Sequence, residues 1–224
     1  MRVSEIWRYP VKSMAGERLD QTTVDALGIV GDRVVHVRDT AGRVITARTH
    51  PRLLGHQATL SASGEPLVDG RLWTEPSVLA DVATIVGPGA KLVRDASLDR
   101  FDVLPLLVAT DGAIRAFGHD HRRLRPNLVI DGVDGLDERT WPGHWLRIGD
   151  VVIDVQDPRG RCVMTTFDPD TLEQDRSALN HIVKRFGGKL ALNAQVVEGG
   201  TISVGDEVRL TRHPVCETND ARSR

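Results

Sequence analysis

The stretch Pro158-Arg159-Gly160-Arg161-Cys162-Val163-Met164-Thr165-Thr166 sets a cysteine directly behind two arginines and a glycine, with a strand expected to follow it. Neighbouring positive charge favours the thiolate, the form that attacks electrophiles or binds metal. A soft thiolate also suits a polarisable metal centre. A lone cysteine is more often a small buried apolar residue, and the flanking arginines are what set Cys162 apart. The other cysteine, Cys216, falls in a polar terminal run from His213 to Asp220 and reads as part of a mobile tail. Two cysteines are too few for a secreted fold built on disulfides.

Four places combine basic residues with turn-forming neighbours in a way that suits phosphate, which guanidinium groups bind through paired hydrogen bonds. They are Lys12-Ser13, the Asp32-Arg33 turn, Arg125 before Pro126-Asn127, and Arg161 itself. Each alone reads more readily as a solvated surface group. Brought together, they would outline an anionic ligand beside a thiolate. Other chemistry is poorly supported. Gly28-Ile29-Val30-Gly31 is neither a Walker loop nor a dinucleotide fingerprint, and no Cys-x-x-Cys or His-Glu-x-x-His zinc pattern occurs. The eight histidines are scattered. His181 is the candidate base for a cysteine nucleophile, while Gly118 to Arg123 reads as a solvated loop or helix end.

The elements that must position these residues are mostly short strands. Val3–Tyr9, Thr22–Ala26, Val34–Arg38, Val44–Ala47, Leu53–Leu60 and Leu67-Val68 form a run of brief apolar segments broken by turns, the spacing of a small barrel or sandwich. Regularity fades over Ala80–Pro105, which places a domain boundary near residue 95. Beyond it, Thr110–His121 reads as a helix, Leu128–Ile130, Leu146–Ile148 and Val151–Val155 as strands, and Leu179–Phe186 as a second helix stopped by Gly187-Gly188. Gln195–Val197, Thr201–Val204 and Glu207–Leu210 close the chain as strands. The expected organisation is therefore mainly β with some helix (α+β): residues 1–95, residues 96–213, and a disordered tail over 214–224.

Composition narrows the partners. The 224 residues are 40% hydrophobic and 27% charged, with a formal net charge of -2. That balance gives no reason to expect nucleic acid or an anionic membrane as partner. No apolar run approaches the ~18–20 residues of a membrane span, and the N-terminus shows no secretory h-region. A cytoplasmic protein is expected.

The motifs taken in order resemble the MOSC family, named for the C-terminal domain of molybdenum cofactor sulfurases, in the arrangement that carries an N-terminal β-barrel domain. The resemblance runs through Tyr9-Pro10-Val11-Lys12-Ser13, Gly28 to Arg33 and Thr46-Ala47-Arg48-Thr49-His50-Pro51. It continues through Arg125 to Ile130, Trp145 to Asp150, Arg161 to Asp170 and Gly200 to Asp206. It implies an N-terminal MOSC-associated β-barrel domain and a C-terminal MOSC β-barrel domain with a cofactor between them, similar to the mitochondrial amidoxime-reducing components. In that branch, the resemblance makes Cys162 the molybdenum ligand and catalytic residue. It also makes Lys12, Ser13, Arg33, Arg125 and Arg161 binders of the molybdopterin and its phosphate, and Asp102 a further position near the cofactor. The implied reaction is reduction of N-hydroxylated compounds with electrons from a separate redox protein, since no iron–sulfur domain is recognisable. A carrier of the cofactor or of sulfur, without turnover, is the alternative, and a metal-free cysteine hydrolase or transferase is the least supported. Pyridoxal phosphate binding belongs to the resemblance only at family level. The sequence departs from the pattern at Gly160, where the amidoxime-reducing proteins have serine, and at Met14 and Leu124.

Overall fold

A computed structural model describes residues 1–95 and 97–213. The protein is mostly β, with three α-helices among the described residues. Its largest sheet has eight strands in the order Val208–Arg212, His144–Ile148, Val151–Gly160, Lys189–Glu198, Leu106–Thr110, Leu128–Asp131, Arg2–Arg8, Glu17–Leu19. Neighbours run antiparallel except Leu106–Thr110 and Leu128–Asp131, which are parallel. A parallel pair needs a crossover. That connection contains the helix Asp111–Phe117. Three smaller sheets of three strands each complete the β-structure.

The packing divides into two main cores. One draws its side chains from residues 11–92, including Val11, Met14, Val35, Val37, Leu53 and Val82. The other joins the two ends of the chain, packing Val3, Ile6, Val24 and Ile29 against Leu128, Ile130, Leu146, Ile153 and Val208. Hydrogen bonding follows the same arrangement. Arg2–Arg8 pairs with Leu128–Asp131, and Gln21–Asp25 pairs with Gly200–Ser203. The first 25 residues are thus bonded across the boundary expected near residue 95. Residues 214–224, expected as a tail and including Cys216, lie outside the described residues.

Local chemistry explains the helices. α1 (Pro76–Val86) opens on a proline, whose missing N–H costs nothing at a first turn, and buries Val78 and Val82 one turn apart. It falls where regularity fades in sequence, because its apolar residues are not confined to one stripe. α2 (Asp111–Phe117) is shorter than the Thr110–His121 expectation. The Thr110 hydroxyl accepts from Ala113 N, and Gly118 ends the helix in the left-handed conformation. His121–Leu124 then forms a separate 3-10 turn. α3 (Arg176–Phe186) starts earlier than expected, with the Asp175 carboxylate accepting from Ser177 N, and stops at left-handed Gly187.

Three other departures bear on the site. Leu53–Leu60 is not one strand, because Pro51 opens a 3-10 turn over Pro51–Gly55 and only Ala58–Leu60 is extended. Leu106–Thr110 is buried at every position, so its run lacks the alternation that marks a half-exposed strand. The strand expected at Val151–Val155 continues to Gly160, tolerating Pro158 because its pairing shifts register around Val155/Asp157 and Pro158/Gly160.

Ile6 links the first strand to the core formed by the second half and is fully buried. Ile6→Ala should lower unfolding free energy by about 2–5 kcal/mol in urea denaturation. A loss no greater than that of the half-exposed Val204→Ala would mean the first strand is not part of that core.

Candidate functional site

The strand Val151–Gly160 changes character along its length. Its first five residues are fully buried, and the remainder leaves the core to carry Arg159 and Gly160 into a cleft. The register shifts around Pro158 turn the strand at that exit. Arg161 and half-buried Cys162 follow. Cys162 is extended and caps a 3-10 turn, Val163–Thr166, where a strand was expected. Its carbonyl accepts from Thr165 N at 3.0 Å and from Thr165 Oγ1 at 2.9 Å. The turn thereby fixes the backbone that carries the thiol.

A second clamp comes from the segment expected to be solvated. Arg123 is buried, donates to Thr166 O at 2.9 Å, and pairs with Asp168 at 2.9 Å. Asp168 in turn accepts from the backbone N–H groups of Asp170 and Thr171. The guanidinium thus ties the 3-10 turn His121–Leu124 to the loop that follows Cys162. Sequence reading missed this role because a run of arginines looks like surface until its neighbours are known.

Cys162, Lys12, Ser13, Arg33, Asp102, Arg125 and Arg161 all line the same cleft, although they are spread over 150 residues of chain. Lys12 Nζ donates to Arg100 O at 2.9 Å and pairs with Asp102 at 2.8 Å. Ser13, at φ 72, accepts from Ala47 N at 3.0 Å and so holds the loop that presents Arg48. Arg33, at φ 53, pairs with fully buried Asp32 and lies over the Tyr9 ring at 5.1 Å. Arg125 lies closer over that ring, at 4.1 Å. Asp32 also accepts from Tyr9 N at 2.7 Å and from Asn127 Nδ2 at 3.2 Å, joining the two arginine-bearing loops.

Asp102 is the hub of the cleft's mouth. Besides Lys12 it meets Arg48 at 2.7 Å and Arg159 at 3.6 Å. Burial alone would raise its carboxyl, but the Lys12 hydrogen bond and the charges of Lys12, Arg48 and Arg159 hold it below the usual carboxylate range. For Arg48, burial opposes the charge, yet Asp102 and Cys162 together keep the guanidinium above its ordinary value. Arg48 was not singled out from sequence, and Arg159 was read only as a charge favouring the Cys162 thiolate, not as a binding residue. A signal existed for Arg159, since it stands two residues before Arg161 in an extended segment and successive odd positions share a face.

Charge dominates this cleft. Seven cationic side chains line it: Lys12, Arg33, Arg48, Arg123, Arg125, Arg159 and Arg161. Three carboxylates pair with five of them: Asp32 with Arg33, Asp168 with Arg123, and Asp102 with the Lys12, Arg48 and Arg159 group. Among the described residues, Arg125 and Arg161 have no carboxylate partner. Burial pushes Arg125 down to about 10, with Arg33 adding repulsion. Burial likewise pushes Arg161 down to about 10, with Arg159 and Arg125 repelling it. Arg161 Nη2 donates to Leu124 O at 2.6 Å, but its buried Nε has no partner. Unsatisfied buried donors with surplus positive charge are what an anionic group would complete.

The remaining candidates lie elsewhere. His181 Nε2 is 3.0 Å from Ala116 O, and its ring packs on Phe186 and His119, away from the cleft lining. No cysteine–histidine pair forms there. No cluster of three or more His, Cys, Asp or Glu among the described residues could by itself hold a metal. A metal at Cys162 would need its other ligands from a cofactor. Met14 and Leu124, two departures from the family pattern, are buried in cores. At Gly160 an added Cβ would meet nothing within 4 Å, so the backbone there leaves open space in the cleft.

Residues 1–75 match the MOSC N-terminal beta barrel domain, and residues 110–209 match the MOSC domain. The chain belongs to the MOSC family. It is 27% identical to mitochondrial amidoxime-reducing component 1 of Homo sapiens, over 93% of this chain and 82% of that protein. It is 26% identical to mitochondrial amidoxime reducing component 2 of Homo sapiens, over 78% of this chain and 69% of that protein. The YUAD protein from Bacillus subtilis shares the fold at TM-score 0.53 and 11% identity, over 95% of this chain and 96% of that one. No described helix of this MOSC protein is long and apolar enough to cross a membrane.

The charge surplus around Cys162 makes a prediction independent of any cofactor. In cofactor-free Cys216→Ser protein, the rate ratio of Cys162 alkylation by anionic iodoacetate over neutral iodoacetamide should exceed that of free cysteine by about tenfold. The excess should collapse in ~1 M salt. A ratio equal to that of free cysteine would mean the cleft carries no such field.

Proposed function

We propose that the cleft binds a molybdenum–molybdopterin cofactor through the thiolate of Cys162, and that the protein is a molybdenum-dependent oxidoreductase reducing N-hydroxylated small molecules. The observation that carries this reading is a half-buried thiol on the wall of a cleft whose Arg125 and Arg161 guanidiniums lack carboxylate partners. Kinship with amidoxime-reducing components supports the reaction class.

Lys12, Ser13, Arg33, Arg125 and Arg161 are the groups to hold the pterin and its phosphate. The two guanidiniums without carboxylates are suited to the phosphate, because planar forks bind its oxygens in pairs. Asp102 is suited to a different task. It carries negative charge, so it orients Lys12, Arg48 and Arg159 rather than meeting a phosphate directly. Arg123 and the Thr165 bonds keep the Cys162 backbone in place. When bound, the cofactor would supply two-electron redox chemistry. The overall change breaks the N–O bond of an N-hydroxyl group, consumes two electrons and two protons, and leaves the amine or amidine and water. The electrons come from a separate redox protein. The chain contributes binding, orientation and a positive field that favours an anionic cofactor.

Molybdenum analysis of protein made in a cofactor-competent host tests the reading. Wild type and Cys216→Ser should carry comparable molybdenum, and Cys162→Ser should lose it together with reduction of a hydroxylamine by a reduced dye. Equal molybdenum in the Cys162→Ser and Cys216→Ser proteins would overturn the ligand assignment. Bound molybdenum without reduction across a broad substrate panel would make the protein a carrier instead.

A further inference from the structure

Beside the Cys162 cleft lies a second cavity of about 380 Å³, within the size range of small-molecule sites. The two share Arg123, Arg125 and Met164 in their walls. Met164 is two residues from Cys162, so the second cavity reaches the turn that carries the thiol. Tyr9 contributes only to the second cavity, while the Arg125 guanidinium on its ring belongs to both. That stacked pair forms part of the partition.

The second cavity has a different chemistry from the first. Trp7, Tyr9, Leu54, Met164, Phe167 and Pro169 give it aromatic and apolar walls. Two of the rings are held in place. Trp7 Nε1 donates to Glu5 at 2.6 Å, and the His121 ring, itself 2.8 Å from Glu5, meets the Trp7 ring edge-on at 6.4 Å. The Tyr9 hydroxyl donates to Pro126 O at 3.1 Å. The Trp7 ring, fixed in this way, offers a face to a planar partner at little entropic cost, while the Tyr9 ring is buried beneath Arg33 and Arg125.

Four arginines and two carboxylates line this cavity. Its carboxylates, Glu17 and Asp170, are each paired with an arginine, at 2.8 Å to Arg8 and 2.6 Å to Arg122. Arg18, whose backbone stands opposite Trp7, donates to Ser4 O and acts on the nearby Glu5 carboxylate, and Arg125 has no carboxylate partner among the described residues. A positively charged amidine would meet guanidiniums here, whereas a neutral or anionic ring would not.

We propose that this cavity seats the aryl group of the substrate, and that the protein prefers neutral or anionic aryl N-hydroxy compounds to small aliphatic or cationic ones. The inference rests on the reading of the Cys162 cleft as the reaction site. The ring lies against Trp7 and Phe167, and the nitrogen substituent points past Met164 and Arg125 toward Cys162. Ala15 lines the same cavity and engages its neighbours through its backbone, donating to His56 O and accepting from Ala58 N. A larger side chain there fills the space without removing those bonds.

Fluorine NMR titration of the protein with 4-fluorobenzamide tests the site without turnover. Saturable broadening is expected, with affinity reduced about tenfold in Ala15→Leu and in Phe167→Ala, each checked for an unchanged melting transition. Cationic 4-fluorobenzamidine should bind about tenfold more weakly than the amide, and trifluoroacetamide not detectably. In molybdenum-loaded protein, Ala15→Leu should raise KM for phenylhydroxylamine and leave that for hydroxylamine itself unchanged. Unaltered 4-fluorobenzamide binding in both folded variants, or an equal change for both hydroxylamines, overturns the aryl site. If wild type carries no molybdenum yet binds 4-fluorobenzamide as expected, the cofactor reading falls and the aryl site stands. If the loaded enzyme reduces both hydroxylamines and Ala15→Leu does not distinguish them, the aryl site alone falls.

Discussion

Like charges crowded in a partly buried cleft are the constraint around which the rest of this protein is arranged. Guanidinium and ammonium groups repel one another and lose hydration when enclosed, so such a cluster stays together only where surrounding structure holds it. Here each cation is carried by an element anchored in a separate place. Lys12 and Arg33 follow strands of the first half, Arg125 follows a 3-10 turn, and Arg159 rides a strand leaving the core that Arg161 directly follows. Burial first, and repulsion from neighbouring arginines second, push Arg125 and Arg161 down to about 10, which leaves the cleft under tension. An anionic ligand would relieve it.

The carboxylates are placed to contain that tension without cancelling it. Asp32 is fully buried and joins the Tyr9, Arg33 and Asn127 loops. Asp102 gathers three cations at the mouth, and Asp168 receives Arg123 behind the Cys162 turn. Each aspartate positions cations while leaving Arg125 and Arg161 unmatched. The two domains of the MOSC arrangement are joined in the same region, since the first strand bonds to the second half and both halves contribute cations to one cleft. Neither half lines the cleft alone.

The two cavities differ in dielectric character. The first is polar and cationic, suited to an anionic cofactor. The second is walled by fixed aromatic rings, suited to an apolar group. Arg125 lines both, and its guanidinium lies over the Tyr9 ring that walls the second. A guanidinium can do this because it is at once a hydrogen-bonding fork and a flat surface, which a lysine is not.

Residue types and their order carry the chemical inventory: a cysteine behind Arg159 and Arg161, basic residues next to turns, and short apolar runs that make a mainly β protein. Ordered motifs tied that inventory to a family, because spacing along the chain survives in sequence even when contacts do not. Tertiary structure decided what those residues meet. Arg123 looked solvated and is buried, since its partners Thr166 and Asp168 lie more than 40 residues away. The strand after Cys162 became a turn, because the Thr165 N–H and hydroxyl both close on the Cys162 carbonyl. Pro158 hid the true end of the strand Val151–Gly160, whose register shifts only become visible with its partner strand in place. Local patterns report what a residue prefers, whereas burial, charge pairing and register depend on distant segments that only the folded chain brings together.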